Sequence, residues 1–297
     1  RAFARPMIGV LHILSQVFGG LAFALLVPVV IALVSGDNAM ESFLLVSGLT
    51  GFLSGAIYFA LQGRKPRFDR QASFVLAIAL WVALPLIAAI PFALRTDIGY
   101  AAAFFEAVSG FTTTGATIFP KLADLGPATI FWRAELQWLG GLATLVTFVT
   151  ILAPAGLGGL SSRGLASIGG FSDAGPDRIV HGLRHIVTLY ALFTGVCIIL
   201  LFFTGIPTFD AVCLSLAAIS TGGFMPVDGD LSVYANPYAD GILTIFMALG
   251  ATSILWHRLV FEGQRSLLLE HRETYWVIAV MLIVGVIYAW NFAGIEG

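Results

Sequence analysis

Long apolar runs separated by short polar joints recur from one end of the chain to the other. Full membrane crossings are predicted at about residues 7 to 34, 42 to 61, 71 to 94, 127 to 153, 182 to 204, 239 to 258 and 274 to 293. Each is long enough to span a hydrocarbon core about 30 Å thick as a helix of roughly 20 residues. Two further apolar segments, 98 to 111 and 207 to 219, are too short to cross and end in Gly/Thr-rich runs instead of charged joints. Such segments fit helices that enter and leave by the same face. Non-helical backbone at membrane depth is tolerated only where protein or a watery cavity lines it. The expected fold is an all-α integral membrane protein with about seven full spans and two re-entrant segments.

Composition agrees with this pattern. Of 297 residues 58% are hydrophobic and 11% charged, and the mean hydropathy is +0.94, so a water-soluble surface has too little polar side chain to form. The opening Arg1 to Arg5 and the apolar run after it do not read as a secretory leader, because the run is too long and no cleavage-like ending follows. Cys197 and Cys213 lie in apolar context with no spacing that suggests a disulfide framework or zinc site.

The placement of charge orients the spans. Arg1, Arg5, Arg64, Lys65, Arg67, Arg70, Arg163, Arg178, Arg184, Arg258, Arg265 and Arg272 fall on one side of the alternating spans, against Arg95, Lys121 and Arg133 on the other. By the positive-inside rule the amino terminus and the basic joints are cytoplasmic. Both short segments then dip in from outside. The outer side also gathers Asp37, Glu41, Asp97, Glu106, Asp124, Glu135, Asp210, Asp228, Asp230, Asp240 and Glu296, an acidic vestibule whose field concentrates cations.

An internal repeat follows the first two spans: span, short helix, Gly/Thr loop, span, and the same order again over 182 to 258. The first loop reads Phe105-Glu106-Ala107-Val108-Ser109-Gly110-Phe111-Thr112-Thr113-Thr114-Gly115-Ala116-Thr117; the second begins Phe209-Asp210-Ala211-Val212 and reaches Ala218-Ile219-Ser220-Thr221-Gly222-Gly223-Phe224. Aligned on the loops, Thr113-Thr114-Gly115 lies over Ser220-Thr221-Gly222, and the Phe-acid-Ala-Val starts are then offset by three residues. A third unit opens at 274 and is incomplete at Gly297.

A short helix pointing inward places its negative, C-terminal end near the membrane centre, where it stabilises a dehydrated cation. Carbonyl oxygens of Thr112, Thr113, Thr114 and Gly115, with those of Ile219, Ser220, Thr221 and Gly222, are the candidate ligands. Glycine at 115 and 222 is expected to permit backbone angles that a side chain penalises. A ring of uncharged oxygens suits a large monovalent cation such as potassium, whereas a divalent ion normally receives carboxylates. Gly/Thr/Ser runs also serve ordinary turns and helix contacts; it is their recurrence in equivalent places of a repeat that favours a pore.

The remaining polar residues carry weaker signals. Glu106 and Asp210 lie on the short helices, either as functional carboxylates at depth or as charges favoured by a helix N-terminus. Arg133 and Glu135, near the outer end of the fourth span, read as snorkelling or paired charges. Gly140-Gly141 reads as close helix packing, and Gly156, Gly158 and Gly159 as a flexible inner turn. His181 and His185 share one helix face, but no Cys or carboxylate completes a metal set beside them. No nucleophile–base pair or paired carboxylate at depth suggests an enzyme.

Phe105 through Thr117, together with Ser220-Thr221-Gly222-Gly223-Phe224, resemble the first and second pore regions of the TrkH/KtrB superfamily of potassium transporters. Trp132-Arg133-Ala134-Glu135-Leu136-Gln137-Trp138-Leu139-Gly140-Gly141 is similar to the start of that family's post-filter helix, and the first two spans match the extra pair of the TrkH branch. The resemblance covers an amino-terminal portion through the second pore unit and the start of the third. It implies a pseudo-fourfold ring of hairpin units with one filter segment each, filter glycines at Gly115 and Gly222, a homodimer, and regulation by a cytoplasmic nucleotide-binding ring. It further implies K+ as the transported ion, no tightly bound organic cofactor, and residence in the cytoplasmic (inner) membrane. Units three and four, with the gating loop of unit three, are missing from this stretch.

The expected organisation is a two-helix extension at 1–70, a first pore unit at 71–153, a cytoplasmic joint at 154–181, a second pore unit at 182–258, and an inner joint with the first helix of a third unit at 259–297. Regulated, channel-like potassium uptake is the leading reading; a non-conducting scaffold or regulatory fragment of the same fold is the alternative. The orientation has a direct check. Single cysteines at Gln62, Ser162 and Gln264 are expected to resist an impermeant thiol reagent applied outside, and one at Asp228 to react; strong external labelling at Gln62 overturns the assignment.

Overall fold

The computed structural model describes residues 4–64, 70–147, 176–261, 263 and 272–293. Among them the chain is helical, in the order α1 (Ala4–Ala24), α2 (Leu26–Ser35), α3 (Met40–Ala60), α4 (Arg70–Arg95), α5 (Gly99–Phe111), α6 (Pro127–Thr147), α7 (Pro176–Phe203), α8 (Thr208–Ile219), a 3-10 turn (Leu231–Tyr234), α9 (Pro237–Ala251), α10 (Ile254–Phe261) and α11 (Arg272–Ala293). The inner joint at 154–175 with Gly156, Gly158 and Gly159, the end of the 127–153 span, most of the 259–273 joint and the side chain of His181 lie outside the described residues.

Among the described residues four stretches are long and apolar enough to cross a membrane: Met7–Ser35, Met40–Ala60, Gln71–Arg95 and Arg184–Phe203. Two predicted crossings differ in detail. The first is broken at Leu25 between α1 and α2, three residues before Pro28, whose ring cannot donate to the preceding turn. The 239–258 crossing is not one helix. α9 ends at Ala251, Thr252 is extended at ψ 156°, and α10 starts afresh at Ile254. His257 holds this break, its Nε2 lying 3.0 Å from the Leu249 carbonyl and 2.9 Å from Thr252 Oγ1.

With lipid as solvent, burial of apolar surface drives helix pairing weakly, and close backbone approach with hydrogen bonds to carbonyls takes over. α1 and α3 illustrate this. They run side by side with Gly51 against Ala22, while Ser47 and Ser54 donate to the carbonyls of Ala22 and Ser15 at 2.7 and 2.6 Å. α4 carries Pro85 and Pro91 inside the helix. In the stretch they bracket, the carbonyls of Leu86 and Ala88 accept from Tyr100 Oη and Trp132 Nε1 at 2.7 and 3.1 Å.

α5 has 13 residues and α8 has 12, so each is about 20 Å long and falls short of the hydrocarbon core. α5 packs between α4 and α6, and α8 between α6, α7 and α9. α6 therefore sits between the two short helices. Its residues Phe131 to Gln137 are all buried, which leaves it the central post of the described structure and not a lipid-facing span.

Candidate functional site

Both short helices end in the same backbone turn. Thr112 N–H donates to the Val108 carbonyl, Thr113 to Gly110 and Thr114 to Ser109; Ser220 donates to Leu216, Thr221 to Ala218 and Gly222 to Ala217. Thr113 and Thr221 share a left-handed φ of 55°, and Gly115 and Gly223 share a φ of 78°. Left-handed backbone costs an ordinary L-residue about 1–2 kcal/mol, so its recurrence at matching places marks one motif built twice.

This geometry corrects the alignment read from the sequence by one residue. Thr113-Thr114-Gly115 superposes on Thr221-Gly222-Gly223, and the residue matching Gly115 is Gly223. Gly222 is glycine for a different reason. A Cβ there would lie 2.3 Å from Gln137 Cδ and 2.5 Å from Gln137 Nε2. The offset of the Phe-acid-Ala-Val starts grows to four residues, so Glu106 corresponds to Leu214 and not to Asp210.

The two loops lie against each other. A Cβ on Gly115 would meet the Gly222 carbonyl oxygen at 2.1 Å. Among the described residues, the carbonyls of Thr112, Thr113, Thr114 and Gly115 and those of Ile219, Ser220, Thr221 and Gly222 accept no hydrogen bond. The register of the turn matches Thr112, Thr113, Thr114 and Gly115 with Ser220, Thr221, Gly222 and Gly223; Ile219, a candidate ligand by sequence, matches Phe111 instead, and both of those carbonyls pack on a glycine of the following helix. Thr112, Thr114, Thr221 and Gly223 are exposed. The Thr112 hydroxyl lies 2.8 Å from both the Val108 carbonyl and the Thr114 hydroxyl, and Ser109 Oγ donates to the Ala116 carbonyl at 2.5 Å.

Behind the loops sits an ion pair. Glu106 is fully buried in the middle of α5, and Arg133 on α6 is 1% exposed. Arg133 Nε donates to Glu106 Oε1 at 2.8 Å. The same carboxylate accepts from the Thr117 hydroxyl at 2.9 Å and from the Ile118 N–H at 3.0 Å, which fixes the exit of the first loop. Arg133 Nη1 donates to the Met225 carbonyl at 3.2 Å, and the guanidinium lies 4.1 Å from the centre of the Phe224 ring, which fixes the exit of the second. Of the alternatives left open by the sequence, the structure takes pairing over snorkelling for Arg133 and a buried carboxylate over an N-terminal charge for Glu106. Asp210 does occupy the first turn of α8, where Tyr234 Oη donates to it at 3.0 Å.

Glycines set the depth at which each loop is held. A Cβ on Gly140 of α6 would meet the Phe111 carbonyl at 1.8 Å, one on Gly141 would meet Tyr190 Oη at 2.4 Å, and one on Gly250 of α9 would meet the Ile219 carbonyl at 2.3 Å. Gly140-Gly141 is thus close packing, as expected; Gly250, its counterpart in the second unit, carried no flanking motif that singled it out. Toward the predicted outer face, Asp228 Oδ1 and Oδ2 accept from Leu122 and Ala123 N–H at 2.6 and 3.2 Å, a clasp between the two loop exits. Asp228 is therefore structurally engaged, and the exposed Tyr238 is the better labelling position on that connection. Cys197 and Cys213 are buried and unbonded to each other. Among the described residues no group of three or more His, Cys, Asp or Glu is placed to hold a metal ion.

Several helices long and apolar enough to span a membrane, with a pair of shorter helices and matched loops around a buried post, define an all-α multi-helix membrane protein. A family model described as "TrkH: Cation transport protein" matches residues 39–272, and the chain belongs to that family. It is 30% identical over 279 residues to the Trk system potassium uptake protein TrkH of Escherichia coli K12, covering 93% of this chain and 55% of the relative. It is likewise 30% identical over 266 residues to the uncharacterized cation transporter MJ1485 of Methanocaldococcus jannaschii, 86% of this chain and 53% of that one. The crystal structure of the potassium transporter TrkH from Vibrio parahaemolyticus superposes with a TM-score of 0.77 at 24% identity, covering 97% of this chain and 58% of that structure. The chain thus spans about half the length of these relatives and corresponds to an amino-terminal part.

The ion pair predicts a specific energetic pattern. Arg133→Met strands a buried carboxylate and is expected to cost about 3–5 kcal/mol, whereas adding Glu106→Gln to it recovers most of that loss. Thermal unfolding of the detergent-solubilised variants checks this. Additive losses in the double variant contradict the pairing.

Proposed function

We propose that this chain carries the first two pore units of a potassium uptake pore, whose filter is lined by the backbone carbonyls of Thr112, Thr113, Thr114 and Gly115 and, in the register set by the repeated turn, of Ser220, Thr221, Gly222 and Gly223. The observation that carries the reading is the repeated turn at the ends of α5 and α8, set side by side with its carbonyls bare. Relatives named as Trk potassium uptake proteins supply the choice of cation. The remaining filter segments come from the third and fourth units of a complete protein. In that protein the ring of units sits in the cytoplasmic membrane with its amino terminus inside. The protomers pair as homodimers, and the basic inner joints face a cytoplasmic nucleotide-binding ring. No organic cofactor takes part.

A short helix aimed inward serves this function physically. Its C-terminal end offers partial negative charge to an ion that has shed water, and neutral oxygens replace the hydration shell without holding the ion too tightly for release. The alternative, a scaffold that keeps the helices but does not conduct, leaves the bare carbonyls without a role.

The test uses the complete transporter in a host lacking its own potassium uptake, with potassium and sodium influx measured at equal protein abundance. Gly115→Ser forces a side chain into a left-handed backbone and toward the Gly222 carbonyl. It is expected to lower the potassium-to-sodium ratio about tenfold, the factor corresponding to roughly 1.4 kcal/mol of strain at the site. A well-expressed variant with an unchanged ratio overturns the filter assignment, and failure of the parent protein to support growth in low potassium favours the scaffold.

A further inference from the structure

The carboxamide of Gln137 on α6 lies against the backbone of the second loop at Gly222 and Phe224. It is completely buried, lies directly beneath Gly222 with Cδ, Nε2 and Oε1 all within 2.6 Å of where a Cβ on that glycine would be, and has its Nε2 3.8 Å from the corresponding point on Gly115. Its Oε1 accepts the Phe224 N–H at 3.1 Å. Because an N–H only donates, this bond fixes which way the amide faces: the oxygen toward Phe224 and the NH2 toward the contact of the two glycines. That Nε2 has no hydrogen-bond partner among the described residues, and it lies beside the place where Gly115 meets the Gly222 carbonyl.

We infer that Gln137 is the positioning residue that sets cation selectivity at this site: it clamps the second loop through Phe224 and presents its amide donors to the Gly222–Gly115 backbone, fixing how far apart the two loops' carbonyls stand. The inference rests on the proposed potassium filter. It also explains two otherwise separate facts, the need for glycine at 222 without a left-handed backbone angle and a fully buried amide in the middle of α6. Gln137 need not touch the ion. A residue behind a filter acts by limiting how far the carbonyls relax around a smaller cation, so its loss raises sodium passage relative to potassium.

The experiment measures potassium, rubidium and sodium influx in the complete transporter for the parent, Gln137→Leu and Gln137→Glu, each at matched membrane abundance. Gln137→Leu removes both the acceptor and the donor and is expected to lower the potassium-to-sodium ratio about tenfold, the factor that loss of one buried hydrogen bond produces. Gln137→Glu keeps an oxygen against the Phe224 N–H but loses the amide donors and buries a carboxylate beside the loop backbone, and is expected to lower the ratio at least as far. If Gln137→Leu does not reach the membrane, Gln137→Asn, which keeps the amide but withdraws it, takes its place with the same expectation. A ratio unchanged in these variants, or all three cations falling in parallel, overturns the inference and reduces Gln137 to a packing role. A parent protein with no potassium preference instead overturns the filter reading itself, and the two failures are thereby distinguishable.

Discussion

The buried pair of Glu106 and Arg133 is the contact on which the rest of the arrangement depends. An arginine on a central helix and a carboxylate on a short one are each costly in an apolar interior, and a pair is tolerable only when the remaining donors and acceptors are also used. Here they are used on loop backbone. Glu106 takes Thr117 and Ile118 from the first loop's exit, and Arg133 takes the Met225 carbonyl from the second. One ion pair therefore ties two loops to one helix. Replacing it with packed apolar side chains would satisfy the helices and release both loops, which gives a physical reason for charge at this depth.

Around that pair the structure is built from close approach. Gly140 and Gly250 admit the terminal carbonyls of α5 and α8 to the surfaces of α6 and α9, so neither short helix can slide inward or outward without a collision. Gly115 and Gly222 let the loops meet, and Gln137 fills the space behind them. The result is a packed base beneath loop carbonyls that, among the described residues, make no hydrogen bond. In the proposed filter the neutral, weak-field character of such oxygens favours an ion that is easily dehydrated.

Much of this was legible in the sequence, for reasons of length and residue type. Segments of a dozen apolar residues ending in Gly and Thr are too short to span, and both became short helices with matched loops. The register between them was not legible. Thr113-Thr114-Gly115 and Ser220-Thr221-Gly222 look alike as letters, whereas the backbone turn places Gly223 over Gly115; nothing in a string of residues states which glycine carries positive φ and which one merely makes room. The breaks at Leu25 and Thr252 were hidden because apolar composition continues through them. The first precedes Pro28, and the second is held by His257, a residue five positions on whose side chain returns to the helix end. Glu106 read as one of two equivalent carboxylates until its partner on α6, far along the chain, made it a structural anchor.

The central claim is that the bare carbonyls of the two loops take a monovalent cation. Rubidium, an anomalous scatterer that replaces potassium, locates such sites directly. A structure of the complete transporter in rubidium is predicted to show an anomalous peak within coordination distance of the carbonyls of Thr112 to Gly115 and of Ser220 to Gly223. A well-ordered structure with rubidium bound elsewhere along the pore and none at these oxygens would contradict the account.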